Sequence, residues 1–172
     1  MNNKAQAFND FLTNNQIEAF QVQEVPDDAQ GTVVFRSAIE VEGQRLPTLV
    51  ILDQSPYALI RVQLLSQCRT EENELAVLRF VNEQNLTYKP FKLFFDNQGS
   101  LIMDTSLVLP VADEEVKVEE ATPEIGEEVQ GMLQVIINYL NENYKSFMQK
   151  IWGTGAESSK ADAVKDELYT VK

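Results

Sequence analysis

Hydrophobic positions change period four times along this chain, and the changes divide it into helices and strands. Phe8, Phe11 and Leu12 fall on one stripe of a short helix over roughly residues 4 to 15, with Asn14-Asn15 as its stop. A helix of that length is marginal alone in water, so it must dock on an apolar surface. Strand signals follow. Residues 19 to 25 alternate and end at the turn chemistry of Pro26-Asp27-Asp28 and Gly31. The stretch 32 to 42 sets Val33, Phe35, Ile39 and Val41 against Val34, Arg36, Ala38, Glu40 and Glu42. Leu46 to Leu52 is apolar on both faces, which predicts a strand in the interior of a sheet, and Tyr57 to Leu65 returns after the turn at Asp53 to Pro56.

The period then returns to that of a helix. Thr70 reads as an N-cap, with Glu71 and Glu72 in the first turn, and Leu75, Leu78, Val81 and Asn82 continue at helical spacing. Val77 and Phe80 widen this stripe, and so wide an apolar arc predicts two neighbours, such as the sheet and another subunit. Pro90 ends the helix. Phe91 to Phe95 and Leu101 to Leu109 form a hairpin around Asp96-Asn97-Gln98-Gly99, and Pro123 introduces a helix from about Glu124 to Ile151. The order predicts an α+β domain: an antiparallel sheet with flanking helices, arranged α-β(3-4)-α-β-β-α. Residues 1–152 form this domain in the sequence reading. Residues 110–123 are an acidic connector within it, and 153–172 have the composition of a loose C-terminal tail.

Charge narrows the choice of partner. The net charge is −13, and the fourteen lysines and arginines form no stripe in the sequence, which disfavours nucleic acid and anionic membrane surfaces. Between Val111 and Glu128 eight carboxylates face Lys117 alone, so much of the acidity belongs to the connector. No apolar run approaches the ~18 residues of a membrane span and no leader is visible at the start, so a cytoplasmic location is expected. Cys68 stands alone and reads as a small buried side chain.

Chemistry is sparse. The chain has no histidine, which excludes Ser-His-Asp and Cys-His nucleophiles, and neighbouring pairs such as Glu71 and Glu72 point to different helix faces. The Asp96-to-Ser100 segment has oxygen ligands suited to calcium, but apolar Leu101, Ile102 and Met103 occupy the rest of the loop, so a hairpin turn is the better reading. No catalytic residue, cofactor or metal site is assigned. Phe94 differs from its aromatic neighbours because it shares the Lys92 face of its strand, opposite Phe91, Leu93 and Phe95. An apolar ring on the second face predicts an interface or groove. The candidate partner or dimer contacts are Phe94, Lys92, Tyr57, Leu78 and Arg79.

From Leu75 the chain reads Leu-x-x-Leu-x-x-Val-Asn-x-x-Asn-Leu. An aromatic strand and Asp96-x-x-Gly99-x-Leu101 follow. This segment, with Asn82 and Asn85 in its helix, resembles the YbjN-like bacterial domains and, more distantly, the type III secretion chaperones. The resemblance implies a chaperone-like sheet flanked by helices, dimerisation through the second helix and neighbouring strands, and a protein-binding or regulatory role without catalysis. The acidic connector is longer than the resemblance leads one to expect. The function expected is a non-enzymatic homodimeric module that holds a partner polypeptide segment. The alternative is a small-ligand sensor or carboxylate-based enzyme, with a pocket between sheet and last helix lined by Arg36, Arg61 and carboxylates.

Overall fold

The computed structural model describes residues 1–109 and 118–153. The helix α1 spans Asn3–Asn14 and is followed by four strands: β1 (Gln21–Glu24), β2 (Val33–Val41), β3 (Gln44–Leu52) and β4 (Tyr57–Leu65). Then come α2 (Glu74–Thr87), β5 (Lys92–Phe95), β6 (Leu101–Val108) and α3 (Val118–Trp152). The fold is α+β, with an antiparallel six-stranded sheet in the order β1-β2-β3-β4-β6-β5. β3 is interior, as its two apolar faces predict.

Period-2 alternation gives the sheet a dry inner face and a wetter outer one. Phe35, Val50, Leu52, Ile60, Val62 and Leu101 are fully buried on the inner face and share one core with Phe8 of α1, Val77 and Phe80 of α2, and Ile136, Leu140 and Phe147 of α3. Edge-to-face ring contacts run through this core, Phe8 with Phe35 at 4.9 Å and Phe80 with Phe147 at 5.4 Å between centroids. Docking, rather than propensity, holds the short α1. Its cap Asn2 accepts from the Ala5 N–H and donates to the carbonyls of Gly31 and Leu52. The Lys4 ammonium is buried and donates to the carbonyls of Ser55 and Tyr57 at the β3–β4 turn.

Two expected helix starts need correction. α3 starts at Val118 rather than near Glu124, so Pro123 lies inside the helix. Proline forfeits one ladder hydrogen bond there, and the long apolar stripe beyond it carries the helix regardless. α2 starts at Glu74 with Asn73 as its cap, not at Thr70. Thr70 and Asn73 instead exchange two bonds that close the turn ahead of the helix, while the Asn73 amide donates to the Cys68 carbonyl. The stripe of α2 also divides: Val77, Phe80 and Val81 are buried, whereas Leu75 and Leu78 are 63% and 42% exposed. Residues 110–117 of the expected connector and 154–172 of the expected tail lie outside the described residues.

Candidate functional site

The outer face of the sheet is built from the alternate residues that β2 to β6 turn away from the core. Val34 and Ile102 are buried on this face yet stand outside the core that the helices share, so they are shielded by their own neighbours on the sheet. Strand register arranges the face in rows. One row reads Val34, Ile51, Leu59 and Ser106 across four strands. The next reads Arg36, Leu49, Arg61, Asp104 and Lys92 across five. Half-buried Leu49, Ile51 and Leu59 give the face an apolar centre, with cations on both sides.

Arg61 and Asp104 are direct cross-strand partners and make a bidentate pair, Nε to Oδ1 at 2.8 Å and Nη2 to Oδ2 at 2.7 Å. This fork geometry is the strong form of an ion pair, and hydrogen bonding to Asp104 pushes the guanidinium further up from its ordinary pKa. Phe94 lies beside the pair. The Arg61 guanidinium sits 5.6 Å and the Lys92 ammonium 5.2 Å from the centre of its ring. At the other corner Arg36 donates to Gln23 at 3.0 Å.

The structure therefore brings Phe94 and Lys92 together and adds Arg61 and Asp104 to them. Tyr57 shares this face at the start of β4, opposite Val108, and is 54% exposed. Leu78 and Arg79 do not join this group. They sit on the exposed side of α2, whose buried side packs against the core through Phe80 and Phe147. Arg36 and Arg61 were the expected lining of a pocket between sheet and last helix. Both point to the outer face, because the two-residue period of β2 and β4 puts them opposite the core positions.

Asn85 is the functional-looking residue whose role depends on tertiary structure. Its amide donates to the Leu93 carbonyl at 3.0 Å and its oxygen accepts from the Leu93 N–H at 2.7 Å. Asn82 is exposed. In the hairpin, Asp96 accepts from the N–H groups of Gln98 and Ser100, and Gly99 takes φ +77°, so this acidic loop is a turn closed on itself.

Buried titratable groups are occupied structurally. Cys68 has no exposure, its N–H donates to the Gly99 carbonyl, and burial pushes its thiol up, which keeps it protonated and weakly nucleophilic. Burial pushes the phenols of Tyr139 and Tyr144 up as well; they donate to Gln84 and to the Leu64 carbonyl. Burial lowers the Lys4 ammonium, and Asp53 at 3.9 Å opposes that shift. Among the described residues no group of three His, Cys, Asp or Glu is placed to hold a metal ion, and no helix is long and apolar enough to cross a membrane. An apolar hollow of about 200 Å³ opens between α1 and α3, beside Phe8, Phe20 and Ile137.

No family model matches the chain, and no curated protein matches its sequence. Among solved structures it is similar to a chain of the HopA1-SchA chaperone-effector complex, at a TM-score of 0.41 and 14% identity over 81% of this chain and 94% of that one. It is also similar to a chain in the crystal structure of the Yersinia pestis type III secretion chaperone SycH with a stable fragment of YscM2. There the TM-score is 0.38 and the identity 9%, over 78% of this chain and 98% of that one. Likeness at this level carries no assignment of fold or function.

Proposed function

We propose that this chain is a non-catalytic protein-binding module of the cytoplasm. In this reading residues 1–152 act as one unit, and a homodimer holds a segment of a partner polypeptide. The observation that carries it is the outer sheet face, where the Phe94 ring packs with Arg61 and Lys92 beside an apolar centre that, among the described residues, stands outside the core the helices share. Antiparallel sheets that face water ordinarily alternate to a polar outer side. Here Leu49, Ile51 and Leu59 break that rule. The six strands hold 43 residues, and at ~4.8 Å by ~3.3 Å for each they give a face of roughly 700 Å², close to the ~800 Å² that one partner contributes to a standard interface.

Phe94, Lys92 and Tyr57 are the contacts assigned to the partner. Leu78 and Arg79, on the exposed stripe of α2, are assigned to the second subunit. The resemblance to YbjN-like domains over Leu75 to Leu109 is the family setting of the proposal. A photo-crosslinking residue at position 94, expressed in the native host, is expected to trap a discrete protein partner, and Phe94→Ser in a pull-down is expected to lose it. Trapping of no protein, together with equal recovery by the Phe94→Ser variant, rejects the reading.

A further inference from the structure

The charge on the outer face runs against that of the chain. Its strand positions carry Arg36, Arg45, Arg61 and Lys92 against Glu40 and Asp104, a local +2, while the whole chain carries −13. Arg61 is neutralised by Asp104. Arg45 faces Glu40 across the β2–β3 ladder, so the remaining charge stands at the two ends of the β2-to-β5 stretch of one cross-strand row, Arg36 on β2 and Lys92 on β5, with Leu49 inside the row and Leu59 in the next. Four strand spacings of ~4.8 Å separate those ends, about 19 Å, which an extended chain covers in about six residues at ~3.3 Å each.

We infer that the outer face takes an acidic, extended polypeptide segment with carboxylates about six residues apart and apolar side chains between them. The inference rests on the protein-binding reading above and names its partner chemistry. The carboxylates meet Arg36 and Lys92, and the apolar side chains meet Leu49, Leu59 and Phe94. Among the described residues neither end is spent on a carboxylate: Arg36 donates to the neutral Gln23 side chain and Lys92 rests over Phe94. The acidic remainder of the chain does not cancel the local attraction, since a Debye length of ~8 Å confines its field at physiological salt. A nucleic acid fits the face less well, because two uncompensated cations neutralise few phosphates and the chain as a whole repels a polyanion.

Fluorescence anisotropy on the intact chain tests this with a labelled decapeptide carrying two glutamates six residues apart and leucines between them. Its controls are a peptide with glutamine in place of each glutamate and a single-stranded DNA oligomer. The acidic peptide is expected to bind at least tenfold more tightly than the glutamine peptide, and to weaken as salt rises. Arg36→Glu with Lys92→Glu, both at exposed positions, is expected to lower its affinity at least tenfold while circular dichroism stays native. Equal binding of the two peptides, no binding of either, or DNA binding as tight as the acidic peptide overturns the inference. Light scattering that shows a dimer dissolved by the charge-reversed double variant also overturns it, since the occupant is then a second copy. A crosslink from position 94 to a neutral or basic partner segment defeats the acidic preference and leaves the protein-binding reading standing.

Discussion

Asn85 of α2 brackets Leu93 of the edge strand β5, giving one hydrogen bond to its carbonyl and taking one from its N–H. An edge strand presents unpaired backbone groups, and a carboxamide is the side chain that can satisfy a donor and an acceptor of one residue together. Asn85→Ala is expected to cost about 1–3 kcal/mol, because both Leu93 groups lose a partner in a partly buried place. Urea denaturation measures the cost, and concentration-dependent aggregation of the variant reports the reopened edge. An unchanged midpoint shows that water replaces the amide without loss.

Gly126 of α3 lies directly against the ring of Phe11 on α1. A Cβ there would lie 2.0 Å from Cγ of Phe11, so α1 and α3 pack with no room for a methyl group. Gly126→Ala is expected to destabilise by about 1–3 kcal/mol through overpacking, despite the better helix propensity of alanine. Combining it with Phe11→Leu is expected to cost less than the two changes added. Strict additivity in thermal or urea unfolding shows that the strain is taken up elsewhere.

The element order, the interior position of β3 and the two faces of β2 were legible because each depends only on local period and apolar content. The start of α3 was less so, since Pro123 looks like a boundary and only the sum of tertiary contacts decides whether a helix continues through it. Lys4 reads as a surface residue. Its burial follows from carbonyls of Ser55 and Tyr57 about fifty positions away, and no local pattern signals that. At the site, the placement of Phe94 on the second face was legible from alternation. The Arg61–Asp104 pair was not, because it needs the register of β4 on β6. The wide stripe of α2 announced two neighbours without telling which side faced inward. A glycine inside the apolar stripe of α3 was the available signal for the contact with Phe11.

Alkaline pH is expected to unfold the protein earlier than its charge alone implies. Tyr139 and Tyr144 have pKa values raised by burial above the 10.0 of a free phenol. Above pH 10 the unfolded chain therefore releases protons that the native one keeps, and stability falls as pH rises. The full contribution is present below pH 10 and is lost between there and the raised native values. Lys4 acts in the opposite sense, because its lowered native pKa lets the folded state shed a proton first. Two phenols, one of them strongly shifted, outweigh one ammonium. Urea midpoints from pH 8 to 11 are expected to fall above pH 10, and Tyr139→Phe is expected to flatten that fall. A flat or rising profile contradicts the burial of these rings.

The exposed side of α2 gives the last test. Leu75, Leu78 and Leu86 recur at helical spacing and are 63%, 42% and 77% exposed, with Arg79 beside them. Contiguous apolar side chains on one helix face mark an interface far more often than isolated ones do. If this stripe joins two subunits, light scattering at micromolar concentration gives twice the chain mass of 19.5 kDa. Leu78→Asp then gives the monomer, because a carboxylate buried without a partner costs several kcal/mol in the dimer and nothing comparable on an exposed monomer surface. Circular dichroism of the variant stays native, since Leu78 takes no part in the core. A wild-type chain that is monomeric at tens of micromolar, or a dimer indifferent to Leu78→Asp, moves the interface away from α2.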